Sequence, residues 1–287
     1  MYTNNWLSYH IFIHDFTEHD RFIKQFLYPY IQKNSSITSF FFIRYWQGGP
    51  HIRFRCKAAD GEAIRADLQE QVQLFSQQYS PKQALTPELF YENHSFDGVQ
   101  PDSKDLYWMP DLHVANISYV PEFDRYGEGE CMALSEKVFE QSSRAAGNAL
   151  LKIPDNHLLL KTALAYTVFQ QVDRAVQEAG FESLKNTYKD FWQFQKKDHI
   201  SYDKIWSRLK QFWQQDPAAN ERWEKAICEE AVQSFQHLLG TASKVSPLAF
   251  RYIVMSQLHM FNNRIGLPPE FEWMMGVDLP VKKGAAV

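Results

Sequence analysis

At 287 residues the chain holds one large domain or two moderate ones, and 45% hydrophobic with 22% charged residues is ordinary for a soluble globular protein. A formal net charge of -4 argues against a general nucleic-acid binder, and the three widely spaced cysteines Cys56, Cys131 and Cys228 suit free thiols in a reducing cytoplasm better than a disulfide framework or a zinc site. The N-terminal MYTNNWLSYHIF lacks the pattern of a signal peptide, and no run of about 18 apolar residues offers a membrane span, so the expected location is the cytoplasm.

Trp6 to His14 reads as a strand. Thr17-x-x-Asp20 has capping-box-like spacing for a helix carrying Phe22, Ile23, Phe26, Leu27, Tyr30 and Ile31, which Pro29 should bend or end early. Residues 40–57, FFFIRYWQGGPHIRFRCK, read as a β-hairpin with Ile52, Phe54 and Cys56 on one side of the second strand and His51, Arg53 and Arg55 on the other. A four-residue loop would set Arg44 opposite Arg53 on that polar face. Like charges facing each other across strands cost roughly 0.2–1 kcal/mol a pair. The pattern therefore fits an anion-binding face as well as a solvated one.

A helix over residues 60–79, with the stripe Ile64, Leu68, Val72 and Phe75, comes next. A short strand at 89–93, a loop through Pro101 and Pro110, and a last strand at 112–120 follow. Strand-helix-strand-strand-helix-strand is the split βαβ, or ferredoxin-like, order. After Gly129 only helices are legible: 131–151; 155–179, with an Asp cap, a Leu160/Leu164/Val168/Val172 stripe and Gly180 as its stop; then 184–195, 202–214 and 220–239. Ser246-Pro247 opens a further helix that Gly266 ends, and the Pro-rich tail from Leu267 finishes in a loose KKGAAV. The expected class is α+β, with residues 1–128 a sheet domain and residues 129–287 a helical domain packed against it.

Three segments can carry chemistry. The cationic hairpin is the first. The second, Tyr119-Val-Pro-Glu-Phe-Asp-Arg-Tyr-Gly127, joins a strand to a helix, as site-bearing loops commonly do. Its Glu122 and Arg125 can pair, which either aims the guanidinium at an anion or makes a surface ion pair worth about 0–1 kcal/mol. The third, Gln257-Leu-His-Met-Phe-Asn-Asn-Arg264, puts Met255 and Asn263 one turn from His259 on the same helix face. A lone His on such a face is more often a hydrogen-bonded core residue than a catalyst, yet its ordinary pKa suits proton transfer near neutrality. His10, His14 and His19 lack ligand partners at metal-site spacing, Ser142-Ser143 has no elbow motif, and no H-E-x-x-H, Walker loop or G-x-G-x-x-G occurs. Neither a metal nor an organic cofactor is expected.

Taken in order, R-Y-x(4)-P-H-I-R-x-R, Y-x-P-E-x-x-R-Y-G and a late H-x-x-x-N-R resemble the C-terminal domain of class I lantibiotic dehydratases, which also occurs alone among thiopeptide-type bacteriocin biosynthesis proteins. The resemblance runs from Trp6 to about Glu270. It implies a cofactor-free lyase that eliminates glutamate from glutamylated Ser or Thr of a ribosomal precursor peptide, giving dehydroalanine or dehydrobutyrine. The alternatives are a pyridine synthase, which joins two dehydroalanines in a formal four-plus-two cycloaddition and expels the leader, and a non-catalytic precursor-binding protein. By the same resemblance Arg53, Arg55, Glu122, Arg125 and His259 are the catalytic positions, and Arg44, His51, Tyr126 and Asn263 are substrate-binding. The implied partners are a precursor peptide of leader plus glutamylated core and a separate glutamylating protein, with a homodimer compatible and neither membrane nor nucleic acid involved.

Overall fold

Alternating aromatic and β-branched residues build the sheet, and their register decides which side chains reach the site. A computed structural model describes residues 4–79, 84–92, 107–215 and 221–277. Strands β1 (Leu7–Phe12), β2 (Ser39–Tyr45), β3 (His51–Lys57) and β4 (His113–Asn116) form one antiparallel sheet in the order β2-β3-β1-β4. This is the ferredoxin-like order expected from the sequence. The β1–β2 connection carries α1 (residues 19–33), and the β3–β4 connection carries α2 (Gly61–Ser76) and α3 (Pro87–Glu92). The α2 stripe of Ile64, Leu68, Val72 and Phe75 is buried throughout, and the Asp60 side chain caps its start.

Four local readings change. Tyr45 pairs with His51, so the hairpin loop has five residues, and Arg44 lies opposite Ile52 while Ile43 faces Arg53. One residue of slip moves a side chain to the other face of a sheet. Arg44 therefore leaves the Arg53/Arg55 face. The segment read as a strand from residue 89 is helical over Pro87–Glu92, because Thr86 caps it through its Oγ (3.3 Å from Leu89 N) and Pro87 begins it; Asn93 and Pro101 lie outside the described residues. Pro29 does not end α1, which runs to Lys33; a π segment at Ile23–Leu27 widens the turn that lies against the proline ring. The cap of the second long helix is His157, not Asp155, which pairs with Lys24.

The helical part comprises α4 (Phe123–Tyr126), α5 (Glu130–Lys152), α6 (Leu158–Glu178), α7 (Lys185–Trp192), α8 (Tyr202–Gln215), α9 (Glu229–Ser234), α10 (Gln236–Leu239) and α11 (Pro247–Ile265). A 3₁₀ segment, Pro269–Gly276, follows in the stretch read only as a Pro-rich tail; the KKGAAV end lies outside the described residues. Ser246 caps α11 through its hydroxyl and Gly266 ends it at φ +71°, as the sequence suggests. Buried residues from the sheet and from the helices form one continuous apolar core that includes Cys56 and Cys228; these two and Cys131 are buried, and none is in a disulfide among the described residues. Among the described residues no helix is long and apolar enough to cross a membrane.

The edge strand β2 would leave unpaired main-chain groups, a liability in any open sheet. Here side chains from the helices close it. Asn263 of α11 accepts from Arg44 N (2.8 Å) and donates to Arg44 O (2.9 Å), and Ser143 of α5 accepts from Phe42 N (3.1 Å). Arg44 itself turns inward to Asp20 Oδ1 (2.7 Å), while Lys161 of α6 takes Oδ2 (2.6 Å) and Asn156 N donates to the same oxygen (2.7 Å). The Arg44 guanidinium also donates to the carbonyl of Arg264 at the end of α11 (3.1 and 3.2 Å). A Cβ at Gly266 would come within 2.7 Å of that guanidinium, so glycine is needed both for the turn and for the approach.

Burial alone would raise the Asp20 pKa, but Arg44 and Lys161 outweigh it and hold the carboxyl at about 2, below its ordinary 3.8. A depressed carboxyl contributes stability above its unfolded value and loses it as pH falls toward the folded value. Asp20→Asn strands two buried cations, so urea unfolding should show a loss of about 3–5 kcal/mol. Between about pH 4 and 2 the variant should also shed less stability than the parent. Equal stability would mean that this triad does not join the two parts.

Candidate functional site

Ser8, His10, Phe12, Phe41, Ile43, Tyr45, His51, Arg53 and Arg55 share the sheet face opposite α1 and α2, as the strand pairings require. Near β2 the loop after β4, with α4, α5 and α11, covers this face and leaves a narrow cleft. Arg55 enters from β3 beside Phe41 and Ile43, and Tyr119, Glu122 and Tyr126 line the loop side. Phe139, Met260 and Arg264 come from α5 and α11. Its free volume, ≈ 20 Å³, is room for about one water.

Two cations meet in this cleft, and among the described residues no carboxylate is bonded to either. Arg55 is 7% exposed and lies over the Tyr119 ring (4.7 Å) and near the Phe41 ring (5.3 Å), with its Nε unpartnered. Arg264 is fully buried, donates from Nε to Ser143 Oγ (2.9 Å) and leaves Nη1 unpartnered. Burial, reinforced by Arg53, lowers the Arg55 pKa to about 10; burial, reinforced by Arg55 and opposed by Tyr126, lowers that of Arg264 to about 9. Both stay charged at neutral pH. Buried cations normally find partners, and Arg55 Nε and Arg264 Nη1 have none among the described residues.

The remaining predicted residues divide around it. Glu122 lines the cleft and pairs with Arg125 Nη1 at 3.3 Å, both side chains about half exposed at its lip. Tyr126, 2% exposed, lines the wall, and burial raises its pKa. Arg53 lies two residues from Arg55 on the same face, its guanidinium 3.4 Å from the centre of the Tyr45 ring and its Nε donating to His51 Nε2 at 3.4 Å. His51 is fully buried, donates from Nδ1 to Gly49 O (2.8 Å) and stacks on His10 at 4.6 Å. Burial holds its pKa at about 3, so it is neutral and supports Arg53. Arg44 and Asn263 are engaged with each other and with Asp20 and Arg264 at the closed edge of β2.

His259 follows a different line. On α11 the partly open positions Leu248, Tyr252, Ser256, His259, Met260 and Asn263 make one stripe. Met260 turns to the arginine cleft, while the His259 ring lies 4.6 Å from that of Trp192 and its Nδ1 lies 2.6 Å from Glu272 Oε1. Glu272, on the 3₁₀ segment, is fully buried and also accepts from Tyr188 Oη and from Asn262 Nδ2 (3.2 Å). A carboxylate only accepts, so Nδ1 is the donor of this pair and Nε2 is the ring nitrogen on the side away from Glu272.

Arg264, Glu272 and Lys161 went unassigned in the sequence, and Asp20, read there as part of a capping box with Thr17, is instead the buried partner of Arg44 and Lys161, while Asp15 caps the turn at Phe16. Glu272 left a signal, a lone carboxylate inside Phe271-Glu272-Trp273-Met274-Met275. Arg264 left one as well, ending the motif that carries His259. Among the described residues no three His, Cys, Asp or Glu side chains gather as a metal site.

The sequence profile of a family described as "Lantibiotic biosynthesis dehydratase C-term" matches residues 6–277. Among curated proteins none matches the sequence. Solved structures with this fold include the pyridine synthase TbtD from thiomuracin biosynthesis, at 14% identity and TM-score 0.65, with 95% of each chain covered. They also include the tRNA-dependent lantibiotic dehydratase MibB from Microbispora sp. 107891, at 17% identity and TM-score 0.54, covering 95% of this chain and 27% of that one. TsrL aligns at 10% identity and TM-score 0.55, over 94% and 93% of the two chains.

If the two arginines form an anion receptor, the empty site is electrostatically strained. Arg55→Met, which keeps an unbranched side chain and removes that strain, should leave unfolding free energy equal or higher by about 1 kcal/mol. Millimolar glutamate should raise the parent's Tm and leave the variant's unchanged. A strongly destabilised Arg55→Met protein that still responds to glutamate would contradict the receptor.

Proposed function

The chain belongs to the lantibiotic dehydratase C-terminal family, and on that premise we propose that it eliminates glutamate from glutamylated Ser or Thr of a ribosomal precursor peptide. The observation that carries the reading is the buried Arg55–Arg264 pair with no carboxylate bonded to it. A glutamyl ester brings a free carboxylate of its own, and a guanidinium fork accepts it bidentately. The cleft is small, so its floor takes that carboxylate and not the whole glutamyl group. Arg53 and Arg125, on the same face and at the lip, stabilise charge on the ester carbonyl and on the departing glutamate.

His259 then takes the Cα proton on Nε2. The C–H electron pair becomes the Cα=Cβ bond, the Cβ–O bond breaks, and its electrons leave with glutamate as a carboxylate. The histidine, now an imidazolium, returns its proton to solvent. Nothing in this sequence requires an oxidant, a nucleotide or an added reactant. A preceding glutamylation step supplies the ester.

A pyridine synthase is the second reading, favoured by the full-length correspondence with TbtD. Mass spectrometry separates the two. With a pre-glutamylated precursor, elimination releases glutamate and leaves the leader attached; with a precursor already bearing dehydroalanines, a synthase releases the leader. His259→Phe should stay folded and accumulate the glutamylated peptide, with the rate down by about 10²–10⁴-fold. Near-normal turnover by folded His259→Phe protein would remove the histidine from the chemistry, and an intact glutamyl adduct after incubation with the parent would remove the elimination reading.

A further inference from the structure

Elimination at a peptide Cα requires a base of fixed orientation, and the ring of His259 is held from one side only. Trp192 covers one ring face, and Glu272 takes Nδ1 at 2.6 Å. The carboxylate is itself immobilised: it is fully buried, accepts from Tyr188 Oη, and accepts from Asn262 Nδ2 at 3.2 Å, while Asn262 also donates to Tyr188 Oη at 3.3 Å. The groups around it come from α7 and α11, and the carboxylate itself from the 3₁₀ segment, so the network ties three elements to one ring nitrogen. Such an arrangement is costly as a structural device. A fully buried carboxyl group is committed here to an imidazole, a phenol and an amide, where an apolar replacement would serve packing as well or better.

We propose that Glu272 is the positioning residue of His259: its carboxylate fixes the Nδ1–H tautomer, aims Nε2 at the substrate Cα, and stabilises the imidazolium formed when the proton arrives. Tyr188 and Asn262 set the strength of that carboxylate by sharing its charge. This rests on the elimination reading and deepens it, because it makes His259 the base and not the acid. A base must begin with a free lone pair at Nε2. The pairing of Nδ1–H with a carboxylate supplies that lone pair and raises its basicity.

The charged and titratable groups in contact with the ring, among the described residues, are Glu272 directly and Tyr188 behind it; Trp192 and Asn262 bring no charge. Burial and Glu272 both raise the Tyr188 pKa far above its ordinary value, so Tyr188 remains a donor across the working range. The pH response of His259 therefore reports on Glu272.

Glu272→Gln keeps size and an accepting oxygen but loses the charge. The imidazolium is then less stable, and the acid limb of the kcat/KM–pH profile moves to lower pH. The plateau should fall about tenfold to a thousandfold, within the range a positioned acid–base group supplies. Glu272→Asp, which keeps the charge but withdraws it by one methylene, should return the limb most of the way and recover part of the rate. Tyr188→Phe removes one donor from the carboxylate, makes it a stronger partner, and moves the limb to higher pH.

The histidine titration followed by NMR gives a readout that needs no turnover. A parent protein inactive on a correctly glutamylated peptide would defeat the elimination reading alone, while the NMR titration would still decide whether Glu272 governs His259. An unmoved His259 titration in folded Glu272→Gln overturns the positioning role. Should that variant fail to fold, an unmoved titration in Tyr188→Phe overturns it equally.

Discussion

One buried carboxylate holds the two parts of this fold in register. Asp20 is fully buried on α1, Arg44 reaches it from the edge strand, and Lys161 reaches it from α6. Two cations on one anion leave the group positive, and the Arg264 carbonyl at the C-terminal end of α11 takes up the surplus through Arg44. The same residue of β2 is clamped through its main chain by Asn263. Strand, crossover helix and two C-terminal helices thus meet at one residue. If Arg44 were on the other face, as a four-residue hairpin loop would place it, neither the charge cluster nor the closed edge could form.

That junction fixes the site. Asn263 and Arg264 are neighbours on α11: the first seals β2, and the second points its guanidinium between the helices toward the sheet face that carries Arg55. Ser143 serves both ends, accepting from Phe42 N and from Arg264 Nε. One hydroxyl thus helps to close the sheet edge and to aim Arg264 into the proposed anion site. Binding strength in such a receptor is set before the ligand arrives, because the desolvation of both guanidiniums is already complete. The account assigns the repulsion between them to folding and its relief to substrate.

Much of this was legible in the sequence. The sheet order, the α2 stripe, the Ser246 cap and the Gly266 stop follow from periodicity and capping chemistry, which act locally. Arg53 and Arg55 on one face follow from the period of two. What was misread depends on counts or partners distant in the chain. Arg44 changed faces because the loop is one residue longer than the Gln-Gly-Gly-Pro turn suggests. Residues 89–93 looked like a strand because Leu89, Phe90 and Tyr91 suit one, while Thr86 and Pro87 start a helix more strongly. The site itself was half visible: its motifs named Arg55, Glu122, Arg125 and His259, but Glu272 and Asp20 are recognisable only once burial is known, since sequence alone reads a single carboxylate as solvated.

The central claim is that the Arg55–Arg264 cleft and the His259–Glu272 pair serve one substrate from two sides of α11. A structure with a precursor peptide carrying a non-eliminating glutamyl amide in place of the ester tests it most directly. The account predicts the glutamyl carboxylate on Arg55 and Arg264, Met260 displaced, and the substrate Cα within about 3–3.5 Å of His259 Nε2, the separation a reacting pair requires. A ligand whose carboxylate lies elsewhere, or whose Cα is out of reach of that nitrogen, would contradict it.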